Sequence, residues 1–262
     1  MTRSANEPDL VLRYGDDAEH VIDVRLPAAP DAAAAGPALT VVILHGGFWR
    51  APFDRIHTRP MADALTEVGF VTVTPEYRRT GQAGGGWPGT LEDVGAALDA
   101  LPSLLSAAAP GRADLSRVVL TGHSAGGQLA LWAASRRVGS TALRVNGVVA
   151  LAPVADLVTA DRIDLDDDAV RLLLGGSHTA VPDRYAYADP VQLVPIGVRM
   201  IVLHGAADPW VPLEQSQAFV AAAASAGDDV VLTELPGQDH YALIDPLSAA
   251  WPQVLAALSS FG

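Results

Sequence analysis

A chain of 262 residues, half of them hydrophobic and 18% charged, carries enough apolar sequence for one large α/β core and is not the composition of a disordered polymer. Its formal net charge of −13 would repel a phosphate backbone, which excludes nucleic acid and anionic membranes as expected partners. All 17 basic residues are Arg and there is no Cys, so thiolate nucleophiles, disulfides, lysine Schiff bases, P-loop lysines and Ser–Lys dyads are all removed.

Along the chain, β-branched apolar runs alternate with stretches of helical periodicity, the pattern of a mostly parallel sheet with helices on both faces. Strands are predicted over 21–26, 40–44, 71–74, 117–120, 145–151, 200–203 and 230–234, and helices over 59–68, 90–105, 126–137, 214–226 and 247–258. The Pro- and Ala-rich stretch 27–37 reads as a surface connection, and 81–89 as a Gly-rich loop closed by Trp87-Pro88. Residues 153–195 break the alternation, mixing acids with a short apolar run, and are read as a small cap inserted into a single domain spanning 1–262. The N-terminal MTRSANEPDL lacks a signal-like apolar run, and no run of about 18 apolar residues could span a bilayer, so a cytoplasmic location is expected.

Gly122-His123-Ser124-Ala125-Gly126 follows the apolar strand RVVL and precedes an amphipathic helix, which is the context of a nucleophile elbow. A serine in so sharp a turn approaches neighbouring backbone closely, and glycines on either side relieve the clash. The helix beginning at the serine adds free N–H groups and a favourable dipole for developing negative charge. Upstream, His45-Gly46-Gly47-Phe48-Trp49 follows the strand TVVIL, where glycines let backbone N–H groups turn inward. An oxyanion hole of the N–H groups of Gly47, Phe48 and Ala125 is expected, with His45 fixing the loop by hydrogen bonds instead of acting as a base.

The acid and base should follow the serine in that order, each after a late strand. Asp208 in MIVLHGAAD and His240 in LPGQDHYALIDP meet the requirement, with Asp239 and Asp245 as rival acids. The predicted route is covalent acyl transfer through Ser124, His240 and Asp208, without metal or organic cofactor; the seven histidines contain no HExxH pair.

With these motifs in view, the chain resembles the α/β-hydrolase superfamily over nearly its whole length. HGGFW, GHSAGG, HGAADPWVP and DHYALIDP together look most like the kynurenine formamidase (arylformamidase) and small carboxylesterase group. TPEYRRTGQAGGGWPGTLEDV is also similar to bacterial esterases and prolyl-oligopeptidase-like relatives. The resemblance implies an α/β-hydrolase fold and hydrolysis of a small-molecule ester or linear amide. A prolyl-oligopeptidase-like peptidase, an acyltransferase and a non-catalytic binding protein of the same fold are the alternatives. Phe48 stands where hormone-sensitive-lipase-type esterases carry a third glycine, which leans toward the formamidase side and toward small acyl groups. Trp49, Trp87, Trp210 and Tyr241, in loops at the expected catalytic edge, are candidate substrate-binding residues, although each could equally pack its loop. Trp132 is expected in the core, and Arg78 and Arg79 in solvated or structural roles.

Overall fold

The computed structural model describes residues 5–28, 36–137 and 143–262. Most of the surface connection read over 27–37 therefore lies outside the described residues. Eight strands form one sheet in the order β1-β2-β4-β3-β5-β6-β7-β8. They are β1 (Leu10–Arg13), β2 (Val21–Arg25), β3 (Ala38–Leu44), β4 (Val71–Pro75), β5 (Ala113–His123), β6 (Val145–Leu151), β7 (Arg199–Gly205) and β8 (Val230–Leu235). The β1–β2 and β2–β4 pairs are antiparallel and the remaining five pairs are parallel.

The parallel strands are apolar on both faces because helices cover both. β3 is buried from Leu39 through Leu44, and Val118, Val119 and Leu120 of β5 are fully buried. On one side α2 (Gly89–Ala108) and α3 (Ala125–Ser135) pack with Trp132 in the larger core cluster; on the other, α1 (Arg59–Glu67) and α8 (Trp251–Ser259) cover Val41, Ile43 and Val119. Between β6 and β7 the chain folds into three short helices, α4 (Leu157–Arg162), α5 (Ala169–Leu174) and α6 (Pro182–Ala188). α7 (Leu213–Ser225) joins β7 to β8. Among the described residues no helix is long and apolar enough to cross a membrane.

Two sequence expectations need correction. β1 is absent from them because four residues with alternate burial carry almost no periodic signal, and an edge strand is decided by its partner. The last helix starts at Trp251, not at 247, since Pro252 has no N–H to donate and is accommodated only in a first turn. Leu247 is consequently exposed, at 77% of its surface.

The chain leaves β3 toward β4 on one side and then crosses to β5 on the other, so the β3/β5 boundary is a topological switch point. Loops leaving the carboxyl ends of these two strands diverge, and a crevice opens between them. Leu44 pairs with Gly122 across that boundary, which brings the ends of both glycine-rich motifs to the same height.

Replacing Leu120 by Ala should lower unfolding free energy by about 2–5 kcal/mol in a denaturant titration, whereas Leu247→Ala should stay within about 0.5 kcal/mol of the parent. A large loss at Leu247 would contradict the observed start of α8.

Candidate active site

Ser124 lies between β5 and α3 with φ 58° and ψ −121°, a left-handed conformation that a non-glycine residue adopts only where its surroundings enforce it. Enforcement is visible on both sides. A Cβ at Gly122 would collide with the carbonyl of Gly126, and one at Gly126 with the carbonyl of Leu44 at the end of β3. The amide of Ser124 donates to the carbonyl of Leu151 at 2.8 Å, tying the elbow to β6.

The second strand end supplies Asp208. Its Oδ1 accepts the amides of Trp210 (2.8 Å) and Val211 (2.9 Å), and its Oδ2 faces His240 Nδ1 at 2.6 Å. His204 also approaches that Oδ2, with its Nε2 at 3.3 Å, while donating to the Val211 carbonyl at 2.9 Å and accepting the Ser216 hydroxyl at Nδ1 (2.7 Å). Burial alone would raise the carboxyl pKa. The hydrogen bonds from His204 and His240, the His240 charge and the Val211 amide outweigh it, and Asp208 is held well below the usual carboxylate range. Asp239 accepts the Ala242 amide and Asp245 that of Leu247, whereas the 2.6 Å contact with His240 Nδ1 is made by Asp208.

His240 follows β8 and is held by the elbow itself. The Nε2–H of His123 donates to the His240 carbonyl at 2.9 Å, and the two rings lie 4.2 Å apart. Burial, reinforced by the charge of His240, pushes the His123 pKa well down, so His123 is a neutral support for the His240 loop.

Ser124 and His240 line one cavity of about 410 Å³, together with Gly47, Phe48, Trp210 and Tyr241. Gly47 (φ 105°), Phe48 (φ 49°) and Trp49 (φ 55°) form a run of left-handed backbone at the cavity edge. Ala125, fully buried, is the first residue of α3, where the helix's own ladder leaves its N–H without a partner. Under this run lies Glu76, just after β4. It bonds His45 Nε2 at 2.7 Å and accepts the amides of Arg55 (2.9 Å) and Tyr77 (3.1 Å), while His45 stacks on Tyr77.

Two of the four candidate substrate-binding aromatics are corrected. Trp49 is fully buried: its left-handed backbone turns the indole into the core, where Nε1 donates to Gln128 Oε1 at 3.0 Å. Trp87 packs edge-on against Tyr187, with centroids 5.3 Å apart, and does not line the cavity. Arg78 makes a forked pair with Asp93, and Arg79 binds Glu19 and the Phe53 carbonyl, so both are structural. Sequence reasoning missed Phe53, His57, Asp166 and Ile244, which line the same cavity from separate elements. No local pattern marks them. His204 had a readable signal, four residues before Asp208 at the end of the same strand. Among the described residues no group of three or more His, Asp and Glu side chains could hold a metal ion.

Comparison with known proteins bears on this geometry. The family profile BD-FAE matches residues 22–222. Esterase LipQ of Mycobacterium tuberculosis is 29% identical over 224 residues, which cover 80% of this chain and 52% of that protein. The probable carboxylic ester hydrolase LipM of the same organism is 27% identical, covering 80% and 51%. The chain thus spans about half the length of the curated relatives it matches. Among solved structures, Esterase B from Lactobacillus rhamnosis superposes with a TM-score of 0.77 at 23% identity, covering 98% of this chain and 87% of that one. Esterase 2 of Thermogutta terrifontis, in its apo form, gives 0.73 at 23%, covering 96% and 92%.

The Glu76 network yields a pH prediction. Burial raises its carboxyl pKa, but the charge and hydrogen bond of His45, the Arg55 amide and the Arg79 charge prevail and hold it at about 2, below the ordinary 4.5. A carboxyl depressed on folding adds stability above its unfolded pKa and loses it as pH falls, so the contribution fades between about pH 4.5 and pH 2. Glu76→Gln should therefore be less stable than the parent at pH 7, with a flatter fall over that window in acid-denaturation curves. Parallel curves for the two proteins would remove Glu76 as a source of acid lability.

Proposed function

Because the chain belongs to the BD-FAE family of α/β-hydrolases, we propose that it hydrolyses carboxylic esters of short acyl groups through an acyl-enzyme on Ser124. The observation that carries this reading is the 2.6 Å contact between Asp208 and His240, made beside a cavity that His240 shares with the strained elbow serine.

In this reading His240 Nε2 removes the Ser124 proton as Oγ bonds to the ester carbonyl carbon. The oxyanion takes hydrogen bonds from the backbone N–H groups of Gly47, Phe48 and Ala125, each worth roughly 2.7–4 kcal/mol of barrier lowering. Collapse breaks the bond to the leaving oxygen, which takes the proton back from His240. Water then repeats the sequence on the acyl-enzyme and releases the acid. Asp208 keeps Nδ1–H pointed at itself and balances the imidazolium, a role that fits its strongly depressed pKa.

The esterase relatives support esters as the first substrates to test. An aryl formamide would follow the same route with a formyl-enzyme, which is why the formamidase resemblance stays within this reading. Short acyl groups are supported by Phe48 at the cavity wall. Structures of Esterase B inhibited by a C4-C4 tributyrin phosphonate and of Thermogutta terrifontis esterase 2 with propionate point the same way.

A fluorophosphonate probe should add one label to the protein and none to Ser124→Ala, read by intact mass. His240→Ala should lower turnover on the order of a thousandfold or more. Asp208→Asn should be disabled while Asp239→Asn and Asp245→Asn keep turnover on phenyl acetate within about tenfold; the reverse pattern would reassign the acid. Across p-nitrophenyl esters, kcat/KM should fall steeply from acetyl to octanoyl, and Phe48→Gly should flatten the fall. A preference of the unaltered protein for octanoyl over acetyl would refute the short-acyl reading.

A further inference from the structure

His204 takes no step in the reaction described above, yet it lies against the acid. It is the last residue but one of β7 and is fully buried, with Asp208 four residues on in the loop that follows the strand. Both ring nitrogens are committed. Nε2 lies 2.9 Å from the Val211 carbonyl, which can only accept, so the ring proton is on Nε2. Nδ1 lies 2.7 Å from the Ser216 hydroxyl of α7 and takes its hydrogen. The nitrogen that carries the proton is also the one 3.3 Å from Asp208 Oδ2. His204 therefore turns a donor, and not a lone pair, toward the carboxylate.

The same Oδ2 faces His240 Nδ1 at 2.6 Å, so two imidazoles meet at one oxygen while Oδ1 is taken by the amides of Trp210 and Val211. Burial works against the charge of Asp208, and the contact with His204 stands first among the interactions that outweigh it. A carboxylate that shares its charge with a second donor has less left to hold a proton on the first. Other titratable groups stand around the pair. His123 of the elbow lies 4.2 Å from the His240 ring and Tyr241 packs edge-on against it at 5.4 Å. Glu234 of β8 pairs with His204 in register and is exposed, its carboxylate bonded to Gln217 of α7, and Glu214 is exposed in the first turn of that helix. They surround the pair in the parent and in a variant at position 204 alike, so a comparison at that position isolates the His204 donor.

We propose that His204 is a positioning residue that sets the acid side of the site's working range: its Nε2–H, fixed in that tautomer by Val211 and Ser216, draws on Asp208 Oδ2 and keeps the carboxylate from holding a proton on His240. The inference rests on the ester-hydrolysis reading above and adds what governs its pH dependence. His240 must be unprotonated to take the Ser124 proton, so a donor at His204 extends activity toward lower pH.

The test measures kcat/KM for phenyl acetate from about pH 5 to about pH 9 in the parent, His204→Leu and His204→Gln. Leucine fills the space without a donor, leaves more of the Asp208 charge to His240, and should move the acid limb up by about half a pH unit, roughly threefold in rate on that limb. Glutamine can still donate toward Val211 and Asp208, and its limb should stay within about 0.2 pH unit of the parent. A limb that stays put in a folded His204→Leu, or that moves as far with Gln as with Leu, would overturn the inference and leave the esterase reading standing. Should His204→Leu fail to fold, the unaltered protein supplies a second measurement. Long-range proton–nitrogen NMR spectra should find the His204 proton on Nε2; a proton on Nδ1 alone would turn a lone pair toward Asp208 and overturn the inference as well. Absence of phenyl acetate turnover in the parent would instead remove the esterase reading on which it rests.

Discussion

The absence of a side chain at Gly126 lets the first turn of α3 rest directly on the carbonyl of Leu44, with no room for even one methyl group. That contact joins the end of β3 to the helix following β5, and the other features of the site depend on it. The loop of residues 45–49 leaves β3 one residue later, and Ser124 precedes the helix by one, so moving either element would separate them. Close packing transmits position without tolerance, which is why a strained φ at Ser124 can persist here.

Polar groups beneath the loop act by the same logic of over-determination. Glu76 collects a histidine ring and two backbone amides at one buried carboxylate. An anion left there without these partners would cost several kcal/mol, so the loop that supplies them is held by electrostatics as well as by packing. Asp208 repeats the arrangement at the other strand end, with two amides on one oxygen and two imidazoles facing the other. Each acid fixes a loop.

The link between α4 and α5 shows how a segment outside the sheet enters the site. Its aspartates take left-handed backbone that Asp tolerates better than most residues, and arginines on either side clamp it. Arg50 directly follows the glycine loop after β3 and Asp166 lies between α4 and α5, so cavity wall and loop share one ion pair.

Motifs with strictly local requirements were legible in the sequence. The sharp turn at Ser124, the glycines of residues 46–47 and the placing of Asp208 and His240 after late strands follow from backbone clashes, helix termini and strand ends, all of which a short window records. Strand and helix positions were legible for the buried parallel core, where apolar runs have no alternative use. Contacts between distant segments were not. Trp49 and Trp87 looked like cavity residues because their loops were expected at the sheet edge where Ser124 sits, yet the direction of a side chain depends on backbone torsion and on what lies beneath. Left-handed backbone at Trp49 turned its indole toward Gln128, 79 residues away. Asp166, Phe53 and His57 share a cavity with Ser124 only because the fold brings separate segments together, and no spacing in the chain encodes that meeting. Local sterics can be read from the order of residues; the company a side chain keeps was decided by the fold.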